Sequence, residues 1–482
     1  MNGDSTSPGS GAAAVARPEG APPSPSSSLP QWRRLLYANG SLGANVGFQA
    51  LALWLVFFYA PSAEAELPAR LPVVTLPWLG TLAPVALAGL ILGAGRLVEI
   101  FDDPLIGHWS DISRSRWGRR APFILIGAPV MSIAFVLLWL PPNLEGSFLN
   151  AAVLFIVLQL LFFAGTAVAA PYEAWLPELA VSSRDRVSLS AWKSLFGVVG
   201  AALALVGSPL LVDLMGFPGM ALVLGAVTVL SYYLAVFGAA GRRPRDDSSN
   251  LQIGVALRAT FTNRPFLVFA TSLVLFNFGL SMLTQLLPFF VVAVMGQGEE
   301  AVSLYTGVFL LVMLASLPGT VALARRWTKR RTFLVGMGLL ALYFPLAFFA
   351  GFVPGVPRAV QGLVFIGLAG VPIAGLFVFP NALLADVIDH DALLTGHRRE
   401  GMYFGVLATI NKLALALSSL VFGVVLGVFG STAANPLGIR LVGPVAGVAV
   451  GLGLLIFARG YSLPDQLAAG SFRITPSQGD AR

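Results

Sequence analysis

The chain of 482 residues contains no cysteine, which excludes disulfides, thiolate metal sites and cysteine nucleophiles. Histidine is nearly as scarce, three in all, and the three are not spaced as metal ligands. Charged residues make up only 11% of the chain, where a soluble domain carries about 25%. In their place stand apolar residues, 56% of the total, at a mean hydropathy of +0.80. This composition excludes a soluble domain and reads as a polytopic membrane protein.

Runs of about 20 apolar residues mark membrane-spanning helices. The sequence predicts twelve. The first six cover 35–60, 82–109, 121–141, 149–176, 186–212 and 217–240. The second six cover 264–294, 302–324, 332–353, 360–388, 401–430 and 438–458. The net charge of +7 does not point to nucleic acid, because 24 of the 30 Lys and Arg fall in the tails and alternate loops. Under the positive-inside rule those loops and both termini are cytoplasmic. Residues 1–30, rich in Ser, Pro, Gly and Ala, and residues 461–482 read as cytoplasmic tails. The location expected is a bacterial inner membrane.

A charged stretch at 242–263 separates one bundle, 31–241, from a second, 264–460. Internal echoes suggest a duplication. Span 4 ends Pro171 to Glu178 and span 10 ends Pro380 to Asp386, basic loops follow spans 2 and 8, and a buried lysine recurs as Lys193 and Lys412. The fold class expected is an all-α membrane protein of major-facilitator architecture, two pseudo-symmetric six-helix bundles with a site between them.

Ionised residues inside spans are rare and face a partner, a cavity or water. Arg96, Glu99 and Asp103 share one face of span 2 at i, i+3, i+7, with Asp102 on its flank. Crowded carboxylates of this kind bind a small cation, such as Na⁺ at Glu99 and Asp103, or a proton. The competing reading is a structural cluster neutralised by Arg96. Lys412 lies about 18 Å of helical rise into span 11, too deep to snorkel. It needs an anion, and the acids of span 2 are the natural candidates. Asp111, Arg116, Arg119 and Arg120 after span 2 form a candidate cytoplasmic gate with Asp386, Arg398 and Arg399 around spans 10 and 11. Asn45 and Gln49 on span 1, and Asn277 and Gln285 on span 7, offer hydrogen bonds to a polyhydroxylated solute. Tyr172 offers a ring beneath a sugar. Helix–helix hydrogen bonding accounts for such polar groups equally well.

These motifs, in the order Arg96…Asp103-Pro-Leu-Ile-Gly107, Asp111…Arg116-Trp-Gly-Arg-Arg120, Pro171-Tyr172…Glu178, Ala385-Asp386-Val-Ile-Asp-His390 and Arg398-Arg-Glu-Gly…Lys412, resemble the glycoside–pentoside–hexuronide cation symporters, the melibiose permease-like major facilitators. The resemblance covers nearly all of residues 31–460. It implies cation-coupled uptake of a sugar-like solute, with no cofactor beyond the coupling Na⁺ or H⁺ and no covalent chemistry. It also implies a cation site of Glu99, Asp103, Asp102 and Thr166, charge-balanced by Arg96 and Lys412. The sugar site departs from the family. Two acids expected on spans 1 and 4 fall at Asn45 and Ala169, and an expected arginine falls at Lys193. Glu173, one turn beyond Ala169, is a candidate replacement. The missing acids also suit a rival solute, an amphipathic lysolipid, since relatives carry such molecules. Two further rivals are a membrane-embedded enzyme, for which no nucleophile–base pair is present, and a receptor, which needs no buried ion stripe. The expected partners are a small solute and the bilayer, with no nucleic acid and no obligatory protein partner.

Overall fold

The computed structural model describes residues 30–65, 67–76, 80–113, 115, 117–180, 183–240, 260–395 and 400–463. The side chains of Asp103 and Asp111 lie outside that description, as do residues Arg116, Arg398 and Arg399 altogether. Among the described residues, ten helices are long and apolar enough to cross a bilayer, and Ala121–Leu137 is an apolar helix of shorter length. One of the ten, Ser188–Ala239, is 52 residues long, far more than one crossing needs.

That run is two antiparallel arms. At Gly216 the backbone takes φ 71° and ψ 175°, a region essentially reserved for glycine. Pro218 follows in the first turn of the new helix, where its missing N–H costs nothing. Before the break, Ser208 Oγ accepts a hydrogen bond of 2.9 Å from Trp54 Nε1; just after it, Phe217 packs on Trp54 and Phe58. Farther out, Lys193 on one arm and Tyr232 on the other both reach Tyr172. The chain therefore turns back at Gly216, and with the shorter helix the spans become twelve.

They are α1 (Gln31–Ala38 and Gly40–Tyr59), α2 (Pro84–Ile112), α3 (Ala121–Leu137), α4 (Phe148–Leu179), α5 (Ser183–Ala202, running on through a π-helical turn Leu203–Gly207) and α6 (217–239). The second half holds α7 (Arg264–Phe289, with a π turn Phe290–Val294), α8 (Ala301–Arg326), α9 (Lys329–Tyr343), α10 (Arg358–Thr395), α11 (Glu400–Phe429) and α12 (Leu437–Gly460). Side-chain caps start several of them: Ser147 accepts from Leu149 N and Asn150 N, Asn263 from Phe266 N, and Thr328 from Arg331 N. Each satisfies helix-end donors that the membrane edge would leave orphaned.

Three details differ from the sequence expectation. The α9 region tightens into a 3-10 segment at Phe344–Phe349, where Pro345 cannot donate to a continuing helix. α3 stops at Leu137, ahead of the Pro141-Pro142 pair. The fold is also not purely α: a short antiparallel hairpin, β1 (Val74–Leu76) with β2 (Gly80–Leu82), pairs Val74 with Leu82 and Thr75 with Thr81 between α1 and α2.

The halves meet at the end opposite the arginine-rich loops. Along the α2–α11 seam, a Cβ built on Gly89 comes 2.4 Å from Ser419 O, and one on Gly427 comes 2.8 Å from Ala86 Cβ. Gly89 and Gly93 on α2, like Gly423 and Gly427 on α11, form small-xxx-small pairs that let backbones touch. Phe57 of α1 meets Phe289 of α7 at 5.0 Å between centroids, and Phe289 meets Phe422 of α11. Ser303 and Thr306 of α8 donate to Val206 O and Leu205 O of α5 at 2.8 and 2.7 Å. The backbone N–H of Ala433 donates to Glu64 across the same end. Nearby, burial pulls the Arg70 guanidinium below its ordinary pKa, partly offset by Tyr59 and by Glu299 of the second half; Arg70 bonds Phe58 O and lies 3.9 Å over the Phe58 ring.

Gly216→Ala is expected to destabilise the folded protein by about 1–3 kcal/mol, the cost of holding an L-residue in that backbone region. Gly307→Ala, where a Cβ meets nothing within 4 Å, serves as the control. Thermal unfolding in detergent checks the pair: a lowered Tm for the first alone is the expected result, and equal Tm values refute the strained turn.

Candidate functional site

α2 carries the charged stripe into the protein interior. Arg96 Nη1 donates to Glu99 Oε2 at 2.9 Å, one turn along the same helix. Across the seam, Lys412 Nζ of α11 lies 3.1 Å from the other oxygen, Glu99 Oε1. The Glu99 side chain is 6% exposed, Arg96 12% and Lys412 18%. The position of α11 relative to α2, set by the glycine seam, brings this lysine within reach. Arg96 is also held from above: its guanidinium carbon lies 4.2 Å from the Phe162 ring centroid and 5.4 Å from that of Phe48. Such cation–π contacts are worth about 0.5–2 kcal/mol each. The aromatic clamp was not read from the sequence, where Phe48 and Phe162 look like ordinary core residues.

One carboxylate here faces two cations. Leaving any of the three unpaired at this depth costs several kcal/mol, so the cluster ties the first half to the second electrostatically. Thr166 lies one turn beyond Phe162 on α4, hence on the helix face that turns toward α2. It is buried, and among the described residues its Oγ1 has no hydrogen-bond partner. Asp102 is half-buried on α2, and Asp103 follows it with its side chain outside the described set. Among the described residues no three acids or histidines converge on one point. A cation held here therefore needs Asp103 or a regrouping of Glu99 away from Lys412. The donors fit Na⁺ or H⁺ in kind, hard oxygens with one hydroxyl unspent.

A second pair lies nearer the arginine-rich end. Lys193 Nζ of α5, buried, donates to Glu173 Oε2 of α4 at 2.6 Å, and Glu173 is 64% exposed. The ammonium rests 4.5 Å over the Tyr172 ring. Tyr172 itself is 1% exposed, and its hydroxyl bonds Tyr37 O at 2.9 Å and Ser41 Oγ at 3.1 Å. In this conformation it offers no free ring face to a solute; it supports Lys193 instead. Asn45 donates back to Ser41 O at 2.9 Å, and Gln49 lies half-buried a turn farther along α1. On α7, Asn277 donates to Asn411 of α11 at 3.0 Å, which places Asn411, overlooked in the sequence, beside Lys412. Gln285 is buried and donates to Ser281 O and Oγ, while its Oε1 accepts from none of the described residues.

At the arginine-rich end, Arg119 and Arg120 both reach Glu178 Oε1 at 2.7 Å, binding the α2–α3 loop to the end of α4. Lys329 donates to both Asp386 oxygens at 2.8 and 2.9 Å, binding the start of α9 to α10. Arg34 pairs with Asp185 at 2.6 Å. Each of these ties lies within one half. Glu178 was in the sequence motifs without a partner assigned, and Lys329 belongs to the basic loop after span 8; the echo between the ends of spans 4 and 10 was the signal for both.

A family profile described as "MFS/sugar transport protein" matches residues 36–463. The chain belongs to that family. This MFS/sugar transport protein family member is an integral multi-pass membrane transporter of the glycoside–pentoside–hexuronide cation symporter type. It is 25% identical to the isoprimeverose transporter of Lactiplantibacillus pentosus over 422 residues, covering 84% of this chain and 82% of the relative. The lactose permease of Lactobacillus delbrueckii subsp. bulgaricus is 22% identical over 410 residues, 80% of this chain and 61% of the relative. In fold it resembles a bacterial homologue of the human lysosomal transporter Spinster, with TM-score 0.61, 13% identity and coverage of 89% of this chain and 95% of the other. The nucleoside transporter NupG gives TM-score 0.57 at 14% identity, over 90% and 99%.

Glu99→Gln removes the carboxylate that pairs with both Arg96 and Lys412 and is expected to cost about 3–5 kcal/mol. Lys412→Gln leaves Glu99 still paired with Arg96 and is expected to cost less. Thermal unfolding of both single variants and of the double variant checks this as a cycle. The double variant should be more stable than Glu99→Gln alone; strictly additive losses refute the coupling.

Proposed function

We propose that this protein is a secondary active symporter that uses a Na⁺ or H⁺ gradient to take up a small sugar or glycoside by alternating access. The observation that carries the reading is the buried carboxylate of Glu99, shared between Arg96 of its own half and Lys412 of the other. In the empty carrier Lys412 neutralises the site. A coupling cation entering among Glu99, Asp102, Asp103 and the free Thr166 hydroxyl competes with Lys412 for the same oxygens. Its binding loosens the tie between halves at that level, which permits them to rock. Because both cation and solute then favour the same state, each raises the affinity of the other.

The printed names of several relatives, isoprimeverose transporter, lactose permease and raffinose carrier, support a sugar as the solute. Lys193 with Glu173, and the amides of Asn45, Gln49, Asn277 and Gln285, would hydrogen-bond its hydroxyls. With the arginine-rich loops cytoplasmic under the positive-inside rule, the sealed opposite end faces outward, and this conformation is inward-facing. The ties of Arg119 and Arg120 to Glu178, and of Lys329 to Asp386, would latch each half in that state. Asp111, Arg116, Arg398 and Arg399 are assigned to the same gate. The membrane is the bacterial inner membrane.

The test needs no known solute. Thermal unfolding in Na⁺, Li⁺ and choline at equal ionic strength is expected to show a Na⁺-specific rise. A ligand that binds only the folded state stabilises it by about 2.7 kcal/mol at a hundredfold excess over Kd. The rise should vanish in Glu99→Gln and Asp103→Asn; if it is absent in the wild type, the coupling ion is H⁺ or there is none, and a pH series separates these. Asp103→Asn should also abolish gradient-driven accumulation of methyl glycosides, and accumulation at the wild-type level would overturn the site.

A further inference from the structure

The turn from α8 to α9 places five cations, Arg325, Arg326, Lys329, Arg330 and Arg331, within seven residues. Lys329 turns inward to Asp386. The others are all arginines, and among the described residues none of them forms an ion pair. Lys329, Arg330 and Arg331 occupy the first turn of α9, and no acid accompanies them there. The helix macrodipole is positive at its N-terminus, so it repels these cations and favours an anion. The turn at the same place in the first half is different. Arg119 and Arg120, just before α3, are both taken up by Glu178. One turn is neutralised by its own chain; the other leaves Arg325, Arg326 and Arg331 exposed.

Two independent features give the missing anion its chemistry. The first is the kind and placement of the cations. Arg330 Nη2 donates to Ala458 O at 3.4 Å, while its buried Nε has no hydrogen-bond partner among the described residues. That contact, with Phe333 packed on Phe457 at 4.9 Å between centroids, brings the exposed Arg459 at the end of α12 beside the start of α9. A guanidinium grips a phosphate through two parallel N–H donors, which an ammonium cannot do. The second is an apolar stripe that begins at Arg331. Val335, Leu339 and Leu342 follow it along one face of α9, 39%, 49% and 76% exposed, while Phe333, Met337 and Leu340 on the other face are buried. In a membrane span an exposed stripe of this kind lies against acyl chains. Trp327, 46% exposed in the turn itself, is the residue type that settles at headgroup level.

We propose that the α8–α9 turn binds an anionic phospholipid from the leaflet at the arginine-rich end. Its phosphate sits among Arg330, Arg331 and Arg459, beside the indole of Trp327, and one acyl chain follows the stripe from Val335 to Leu342. The phosphate brings the negative charge that the first turn of α9 lacks and an acceptor for Arg330 Nε. This lipid is a partner distinct from the solute and its coupling cation, so the site stands or falls independently of the transport reading.

The experiment is native mass spectrometry of the full chain in detergent, titrated with dioleoyl phosphatidylglycerol or dioleoyl phosphatidylcholine. The wild type is expected to bind the anionic lipid the more tightly. Each cation near the headgroup adds about fivefold to that affinity, so Arg330→Gln combined with Arg331→Gln should lower it about 25-fold. Binding of phosphatidylcholine should not change. Arg331→Gln alone leaves the backbone N–H that bonds Thr328 Oγ1 in place. It should lower the affinity about fivefold and keeps the test sound if the double variant folds poorly. Arg242→Gln combined with Arg243→Gln removes the same charge from the central loop and should leave the affinity as it is. Equal binding of the two lipids by the wild type, or an equal loss in the two double variants, overturns the site. Free glycerophosphate at the concentration of the lipid should displace nothing; displacement would mean a soluble-anion site and would overturn the lipid assignment.

Discussion

A bilayer interior tolerates charge only where the protein itself supplies the opposite charge, and the arrangement around Glu99 follows from that constraint. Arg96 and Lys412 both need a counter-ion at this depth, and both reach the Glu99 carboxylate. The glycines of α2 and α11 bring the two helices close enough for Lys412 to span the gap. Phe48 and Phe162 keep Arg96 from swinging toward water. In the proposed cycle the cluster would act as a switch point because it is electrostatically crowded: an entering cation would have to take Glu99 from a positive side chain already holding it.

The two halves repeat one another in scaffold and diverge in site. Arg119 and Arg120, after α2, hold Glu178 at the end of α4; six helices later, Lys329, after α8, holds Asp386 near the end of α10. The same connection closes each half at the same place. The buried lysines break the symmetry. Lys193 of α5 pairs with Glu173 of its own half, whereas Lys412 of α11 crosses to Glu99 of the other. The frame thus carries one lysine paired within its own half and one bridging the halves.

Much of this was legible in the sequence because the membrane imposes strict composition rules. The helical membrane architecture and the family followed from apolar runs and from the order of five motifs. Lys412 could be assigned an acidic partner on α2 by depth alone. What stayed hidden depends on which face of a helix meets which neighbour. Tyr172 looked like a sugar platform, yet the rotation of α4 buries it against Tyr37 and Ser41. The closing glycines were lost among 52 of their kind, since nothing in one helix says which other it will touch. The β1–β2 hairpin fell in a segment too short to show a two-residue period.

The α2–α11 seam has a mechanical consequence. Where most packed helices interlock like gears, Gly89, Gly93, Gly423 and Gly427 present nearly smooth backbone to one another and to small neighbours such as Ala86 and Ala416. Sliding or rolling along such a contact lifts no knob out of a hole and forces no rotamer over a barrier. The seam behaves as a plain bearing. Friction along it is low, and the resistance to motion is concentrated in the few charged and hydrogen-bonded catches placed beside it.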